Sequence, residues 1–341
     1  MSLRHRTVEV IRRRVLGRPA YEAEYWKCWF RYQRLRLEGR LSRPEFDVAF
    51  VLPSFARGWI LEAICHEIRR RYAGTSVFVD DLDVIPPARA YFFAHYGFLA
   101  PVLRSTPHVW AVPRVAFFTH PRNPDLGGPE TIFALNRATK IVSMCSLFTT
   151  YLVGLGVRRQ VVTTSLVGAD PRLFQAHVRG QGRVGFCTAY YERKNPGRII
   201  DIVRLMPHRK FTLLGRNWRE YPRFGELDSL PNFQYHEAPY ADYPAFYSGL
   251  DVFVSPAQVE GGPIPLLEAM MSNALPVASR TGFAPDIIRH GDNGFLFDVD
   301  APSEQIAELI DKAFNSKTDV RATVVHLTWE RFVGDVARYF P

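Results

Sequence analysis

Glu260 and Glu268 stand eight positions apart in "PAQVEGGPIPLLEAMMSNALPVAS" (256–279), one before a Gly-Gly-Pro turn and one in the helical run after it. A carboxylate accepts hydrogen bonds only, and a buried or half-buried one suits adjacent hydroxyls such as those of a ribose or a hexose. The residues between them, Gly261, Gly262, Pro263 and Ile264, open a helix whose first backbone N–H groups have no intrahelical partners. Glycines let a ligand approach those groups closely, which suits a phosphate or sugar hydroxyls. The same residues also read as a surface Glu260 and a Glu268 that complements the helix dipole, so the elements around them have to decide.

Those elements alternate. "FDVAFVLPS" (46–54) is a short apolar run, and "WILEAICHEIRRRY" (59–72) follows with apolar residues at helical spacing, making one βα unit. "TSVFVDD", "VWAVPRVAFFTH", "TKIVSMCS" and "QVVTTSLVGAD" supply further strands of a first series, with helices at "PETIFALNR" and "LFTTYLVGLG". A second series runs from "RVGFCTAY" through helix "PGRIIDIVRLM", strands "KFTLLG" and "NFQYHE", helix "YPAFYSGL", strand "DVFVSP", helix "PLLEAMMS" and strand "LPVAS" to helix "SEQIAELIDKAF". Apolar strands alternating with helices predict parallel sheets covered on both faces. The fold class is therefore α/β, with two Rossmann-like doubly wound domains facing a central cleft. Expected boundaries are 1–45 (a basic helical extension), 46–169 and 170 onward. In such sheets ligands bind beyond the carboxyl ends of the strands, and the Glu260 loop follows strand "DVFVSP".

Composition narrows the partners. The chain has 341 residues, 47% of them hydrophobic, enough for two cores. Cys28, Cys65, Cys145 and Cys187 lie far apart with no C-x-x-C pair, which suggests neither a zinc knuckle nor a disulfide framework and fits a reducing compartment. No secretory h-region and no long apolar run is visible, so a cytoplasmic protein is expected. The net charge of +9 is concentrated at the start, where residues 1–46 carry 12 Arg/Lys against 5 Glu. There the arginines interleave with Tyr25, Trp26, Trp29, Phe30, Tyr32 and Leu35 at helical spacing. Two readings stay open: a helix lying on an anionic membrane surface, at the inner face of the plasma membrane, or a helix packed on the body with its arginines in water. Nucleic acid is not expected, because no nucleic-acid motif accompanies the charge.

The run from Ser255 to Ser279 resembles the C-terminal signature of the retaining nucleotide-sugar glycosyltransferases of family 4, which have the GT-B fold, and "APDIIRHGDNGFLF" (284–297) resembles its continuation. "SLVGADPRLF" (165–174) is similar to the family's interdomain motif, "ERKNPGRIID" (192–201) to its E-K-N motif and "FTLLGRN" (211–217) to its second glycine motif. "LTWERFVGDVARYF" (327–340) resembles the final helix that crosses back to the N-terminal domain, which implies a second domain over 170–326 and a last segment at 327–341. The likeness covers nearly the whole second half and is weaker over 46–165.

The resemblance implies that Glu268 holds the ribose, Glu260 the donor sugar and Lys194 the diphosphate. A leaving diphosphate needs positive charge aimed at its oxygens, and in a chain with 37 Arg and 6 Lys a lysine in a basic loop after a strand stands out. Arg193 is its alternative, and neighbours in a helical turn are expected to point apart, leaving one of the two in water. His120, just past a strand, matches a family histidine that faces the donor sugar, although a histidine there also reads as structural. Three departures follow. The family's Gly-Arg pair is replaced by Thr188-Ala189, with Arg193 or Arg57 as substitute cations. The loop after the first strand, "PSFARGW", keeps one glycine, Gly58. Asn273 stands where the family commonly has Gly, which a left-handed helix cap tolerates. "DDLD" (80–83) reads as a solvated acidic loop and not as a metal-binding D-x-D, so no metal and no cofactor beyond the nucleotide sugar are expected. The activity implied is transfer to a glycan or lipid-linked saccharide in cell-surface polysaccharide or glycolipid assembly. The rival readings are a non-catalytic partner subunit and an epimerase or phosphorylase of the same fold.

Overall fold

In the computed structural model, residues 20–58, 60–121 and 128–341 are described; Arg12, Arg13 and Arg14 of the basic extension lie outside them. The chain forms two units. The first reaches to Val142 and takes in Tyr151–Thr163 and Val336–Pro341, and the second comprises Ser143–Thr150 and Thr164–Asp335.

The first sheet holds β1 (Phe46–Val51), β2 (Ser76–Val79), β3 (Ala88–Phe93), β4 (Arg114–Phe118), β5 (Lys140–Ser143) and β6 (Val162–Thr164), in the order β2-β1-β3-β4-β5-β6. β1 runs parallel to β2 and β3, and β3 parallel to β4. Val48 to Val51 and Ala90 to Phe93 are fully buried, as central strands covered on both faces must be. β3 was not expected from the sequence. It follows Pro86-Pro87 and carries Arg89, which interrupts the apolar run and reaches the Asp47 carboxylate at 3.6 Å.

Of the two readings of the basic segment, packing holds for the helix Ala20–Leu37. Tyr25, Cys28 and Tyr32 are buried, Tyr25 donates to Glu130 at 3.0 Å, and its ring meets Phe133 edge-on at 5.0 Å. The outward side is not wholly polar: Phe30 is 61% and Leu37 87% exposed, beside exposed Lys27, Arg31 and Arg34. Among the described residues no helix is long and apolar enough to cross a membrane. At the other end of the chain, Phe340 packs on Phe92 and Tyr72 at 6.2 and 5.4 Å, and the Tyr72 hydroxyl donates to the Pro341 carbonyl.

The second sheet is parallel throughout. Its strands are β7 (Arg183–Cys187), β8 (Lys210–Leu214), β9 (Phe233–His236), β10 (Val252–Ser255), β11 (Leu275–Ser279) and β12 (Phe295–Phe297), in the order β12-β11-β10-β7-β8-β9. The order reverses between β7 and β10, so their carboxyl ends form the topological switch point at which open α/β sheets bind ligands. Asn273, after the helix Ile264–Met271, has φ +70°. Its side chain accepts from Val320 N and donates to the His177 carbonyl, at 3.0 and 3.1 Å, so the expected left-handed cap also ties down two distant segments.

Candidate active site

The loop after β7 leads into the three-residue 3-10 turn Glu192–Lys194, and left-handed Asn195 (φ +59°) then turns the chain into the helix Pro196–Leu205. Pro196 fits the first helical position, where its missing N–H is no loss. The loop after β10 carries Val259 to Pro263 to the helix Ile264–Met271. The two loops meet through charge. Lys194 Nζ pairs with Glu260 Oε1, and Arg193 Nη1 lies 3.3 Å from Glu260 Oε2 and donates to the Val259 carbonyl at 3.0 Å. Glu260 is 6% exposed, so two cations offset its desolvation. The expectation that Arg193 and Lys194 point apart fails here, because they share a tight turn and the carboxylate has an oxygen for each.

A pocket lies at this meeting, lined by Cys187, Thr188, Lys194, Ser255, Glu260 and Pro263. Its walls depend on close backbone approach. A Cβ on Gly215, after β8, would stand 1.8 Å from the Thr188 carbonyl oxygen, to which Trp218 donates at 2.7 Å. A Cβ on Gly262 would meet Met144 at 2.3 Å and the Phe283 ring at 3.0 Å. Gly262 is therefore a packing requirement of the turn. Gly261 and Pro263 complete that turn, and Ile264 is buried as the first residue of the helix.

Glu268 lies deeper, 1% exposed. Tyr240 donates to its Oε1 at 2.6 Å and Tyr247 to its Oε2 at 2.9 Å. Burial pushes its carboxyl up to about 7, against the opposing pull of the two hydroxyls. Burial also raises the neighbouring Cys187 thiol to about 12, leaving it protonated. The sequence reading did not single out the two tyrosines. Their spacing of seven marks no motif, and one lies in a turn while the other is the buried residue of the short helix Tyr243–Ser248.

The remaining candidates belong to the first unit. Arg57, after β1, pairs with Asp80 of the "DDLD" loop, and Gly58 has φ +74° and donates through its N–H to Glu62 at 2.7 Å. His120, after β4, has Nδ1 3.2 Å from the Thr119 hydroxyl. Asp81 accepts from the backbone N–H of Asp83. Among the described residues no group of three His, Cys, Asp or Glu is placed to hold a metal ion.

Residues 180–324 match the family described as Glycosyl transferases group 1. A search by sequence among curated proteins returns no match. Solved structures share the fold at low identity. HepE of Anabaena in complex with UDP is 14% identical with TM-score 0.69, over 85% of this chain and 98% of that one. A glycosyltransferase from Rickettsia africae is 12% identical with TM-score 0.67, over 85% and 96%. Sucrose-phosphate synthase from Thermosynechococcus elongatus is 14% identical with TM-score 0.62, over 83% and 78%. The family's residues include both loops of the switch point and the buried Glu268. Residues 180–324 thus match a glycosyl transferases group 1 domain, and the chain shares the GT-B fold of solved glycosyltransferases.

Proposed function

We propose that the protein transfers a sugar from a nucleoside-diphosphate donor, with retention at the anomeric carbon and without a divalent metal, to a glycan or lipid-linked saccharide in cell-surface polysaccharide or glycolipid assembly. The observation that carries this reading is the ion pair of Lys194 with Glu260, which joins the loops after β7 and β10 at the switch point of the second sheet. HepE has been crystallised with UDP and with UDP-glucose, and a uridine-diphosphate sugar is the first donor to test. A lipopolysaccharide outer core galactosyltransferase, WaaB, shares the fold at 10% identity and TM-score 0.64, in keeping with a lipid-linked acceptor.

In this reading Lys194 and Arg193 are aimed at the diphosphate. As the bond from the anomeric carbon to the phosphate oxygen breaks, charge grows on that oxygen, and fixed cations stabilise it more than they stabilise the intact donor. The acceptor hydroxyl attacks from the face the diphosphate leaves, and its proton passes to the departing phosphate oxygen. Glu260 holds both cations in register and takes a hydroxyl of the donor sugar, and Glu268 takes the ribose. The roles given to His120, Arg57 and Gly58 rest on the sequence alone.

The test is transfer, and donor hydrolysis in water, measured by release of the nucleoside diphosphate. Lys194→Ala should lower turnover by about ten- to a hundredfold, the equivalent of one charge-assisted hydrogen bond of roughly 1.5–3 kcal/mol. Arg193 still pairs with Glu260 in that variant, so the fold should persist. Near-normal turnover would move the role away from Lys194. EDTA should leave wild-type activity unchanged, and loss restored by Mn²⁺ would overturn the metal-free mechanism. No donor turnover by the wild type with any sugar nucleotide would favour a non-catalytic subunit.

A further inference from the structure

Both oxygens of Glu268 are already engaged by tyrosine hydroxyls, and the residue is 1% exposed. The carboxylate could accept further bonds, but it is almost closed off, so the way in for a ribose hydroxyl is past one of those partners. Tyr247 is badly suited to that. It is fully buried, its ring packs against Phe174 and Phe253 at 5.7 and 6.0 Å, and its hydroxyl also meets the Cys187 thiol. Tyr240 is of the opposite kind. It is 51% exposed and begins the 3-10 turn Tyr240–Asp242, which has no buried residue, and Pro239, Ala241 and Asp242 around it are exposed as well. Its ring leans edge-on against Phe174 at 6.1 Å and lies tilted beside Tyr243 at 5.1 Å. One hydroxyl on Glu268 therefore comes from the core, and the other from a turn in water.

We propose that Tyr240 is a displaceable stand-in for the donor ribose: its hydroxyl holds the Glu268 oxygen that a ribose hydroxyl takes, and nucleotide entry swings the Tyr240–Asp242 turn aside. The inference rests on the assignment of Glu268 to the ribose. The exchange is balanced, one O–H donor replacing another on the same acceptor, so a buried carboxylate is never left short of a bond. It also works in reverse. When the nucleoside diphosphate leaves, Tyr240 returns to Glu268, and the site gives up its product more readily than a bare carboxylate would. Tyr240 thus sets nucleotide affinity through Glu268 without touching the reacting atoms.

Titration calorimetry of the whole chain with UDP and with 2′,3′-dideoxy-UDP tests this. Tyr240→Phe keeps the ring and removes the competing donor. It should lower the Kd for UDP by about three- to tenfold, the change expected when one competing hydrogen bond is lost. The dideoxy nucleotide has no hydroxyl to exchange and should bind the variant and the wild type alike. Tyr240→Ala, which also removes the ring, should shift UDP in the same direction. A Kd for UDP that is unchanged or raised in both variants would overturn the proposal and make Tyr240 a support for Glu268. Equal tightening of both nucleotides would also overturn it, since Tyr240 would then act as a simple cover. Glu268→Gln separates the two claims. If it binds UDP as the wild type does, the ribose assignment itself falls; if it weakens UDP while the Tyr240 variants fail to tighten it, only the displaceable tyrosine is lost.

Discussion

At the scale of residues, the second unit holds two carboxylates in different electrostatic conditions. Glu260 is paired with two cations, whereas Glu268 has only neutral hydroxyls and is raised from the usual 4.5 to about 7. Between those values the folded protein keeps a proton that the unfolded chain has lost. This contribution to stability is therefore full below about pH 4.5 and is lost as pH rises through 7. Its size is about 3 kcal/mol, because each tenfold gain in proton affinity on folding is worth about 1.4 kcal/mol. Glu268→Gln should then gain stability on the wild type at pH 8 and little or none at pH 4.5, in urea denaturation at the two values. A constant difference between them would show that Glu268 is ionised in the folded state throughout. The candidates Glu260, Glu268, Lys194 and Arg193 could be read from the sequence because they sit in motifs bounded by strands. Their partners could not. That Lys194 and Arg193 converge on one carboxylate depends on a tight turn, and that Tyr240 and Tyr247 share another depends on how a loop and a helix fold over it.

At the scale of elements, what could be read followed apolar continuity. β1 after Asp47, β7 after Arg183 and β10 announce themselves as short apolar runs, but β3 hides behind a proline pair and an arginine, and β12 is three residues long. The end of the helix Ile264–Met271 shows a local rule joined to a distant one. Asn273 tolerates its positive φ better than most side chains, and its amide also bridges to His177 and Val320. Asn273→Gly should relieve the backbone but lose both bonds, and Asn273→Ala should lose the bonds and add strain. The alanine variant is expected to be the less stable by about 1–2 kcal/mol, the cost of a left-handed non-glycine residue. Equal unfolding midpoints in urea would mean that backbone strain at Asn273 is negligible.

At the scale of the whole molecule, the helix Ala20–Leu37 has one apolar side committed to the first unit and an outward side on which Phe30 and Leu37 stand among Lys27, Arg31 and Arg34. A lipid-linked acceptor would bring this outward side to anionic lipids, which is testable. Insertion of an exposed Phe or Leu is worth about 1.5–3 kcal/mol, and each cation about 1 kcal/mol near such a surface, falling with salt. Phe30→Ser with Leu37→Ser should release the protein from vesicles of phosphatidylglycerol and phosphatidylcholine in a sedimentation assay, and shift its unfolding midpoint little, because both residues are mostly exposed and, among the described aromatic rings, Phe30 touches Trp29 alone. Undiminished binding would remove this face from the account.

The packing of Phe340 on Phe92 and Tyr72 sets the order in which the protein can be finished. Residues that complete the first unit are made after the whole second unit has been translated. At about 5–20 residues per second, the ribosome takes roughly 10–35 s to travel from Thr163 to Phe340. Through that interval the side of Phe92 that Phe340 covers stays open on the nascent chain, while the second unit has time to fold. The first unit is thus begun first and closed last.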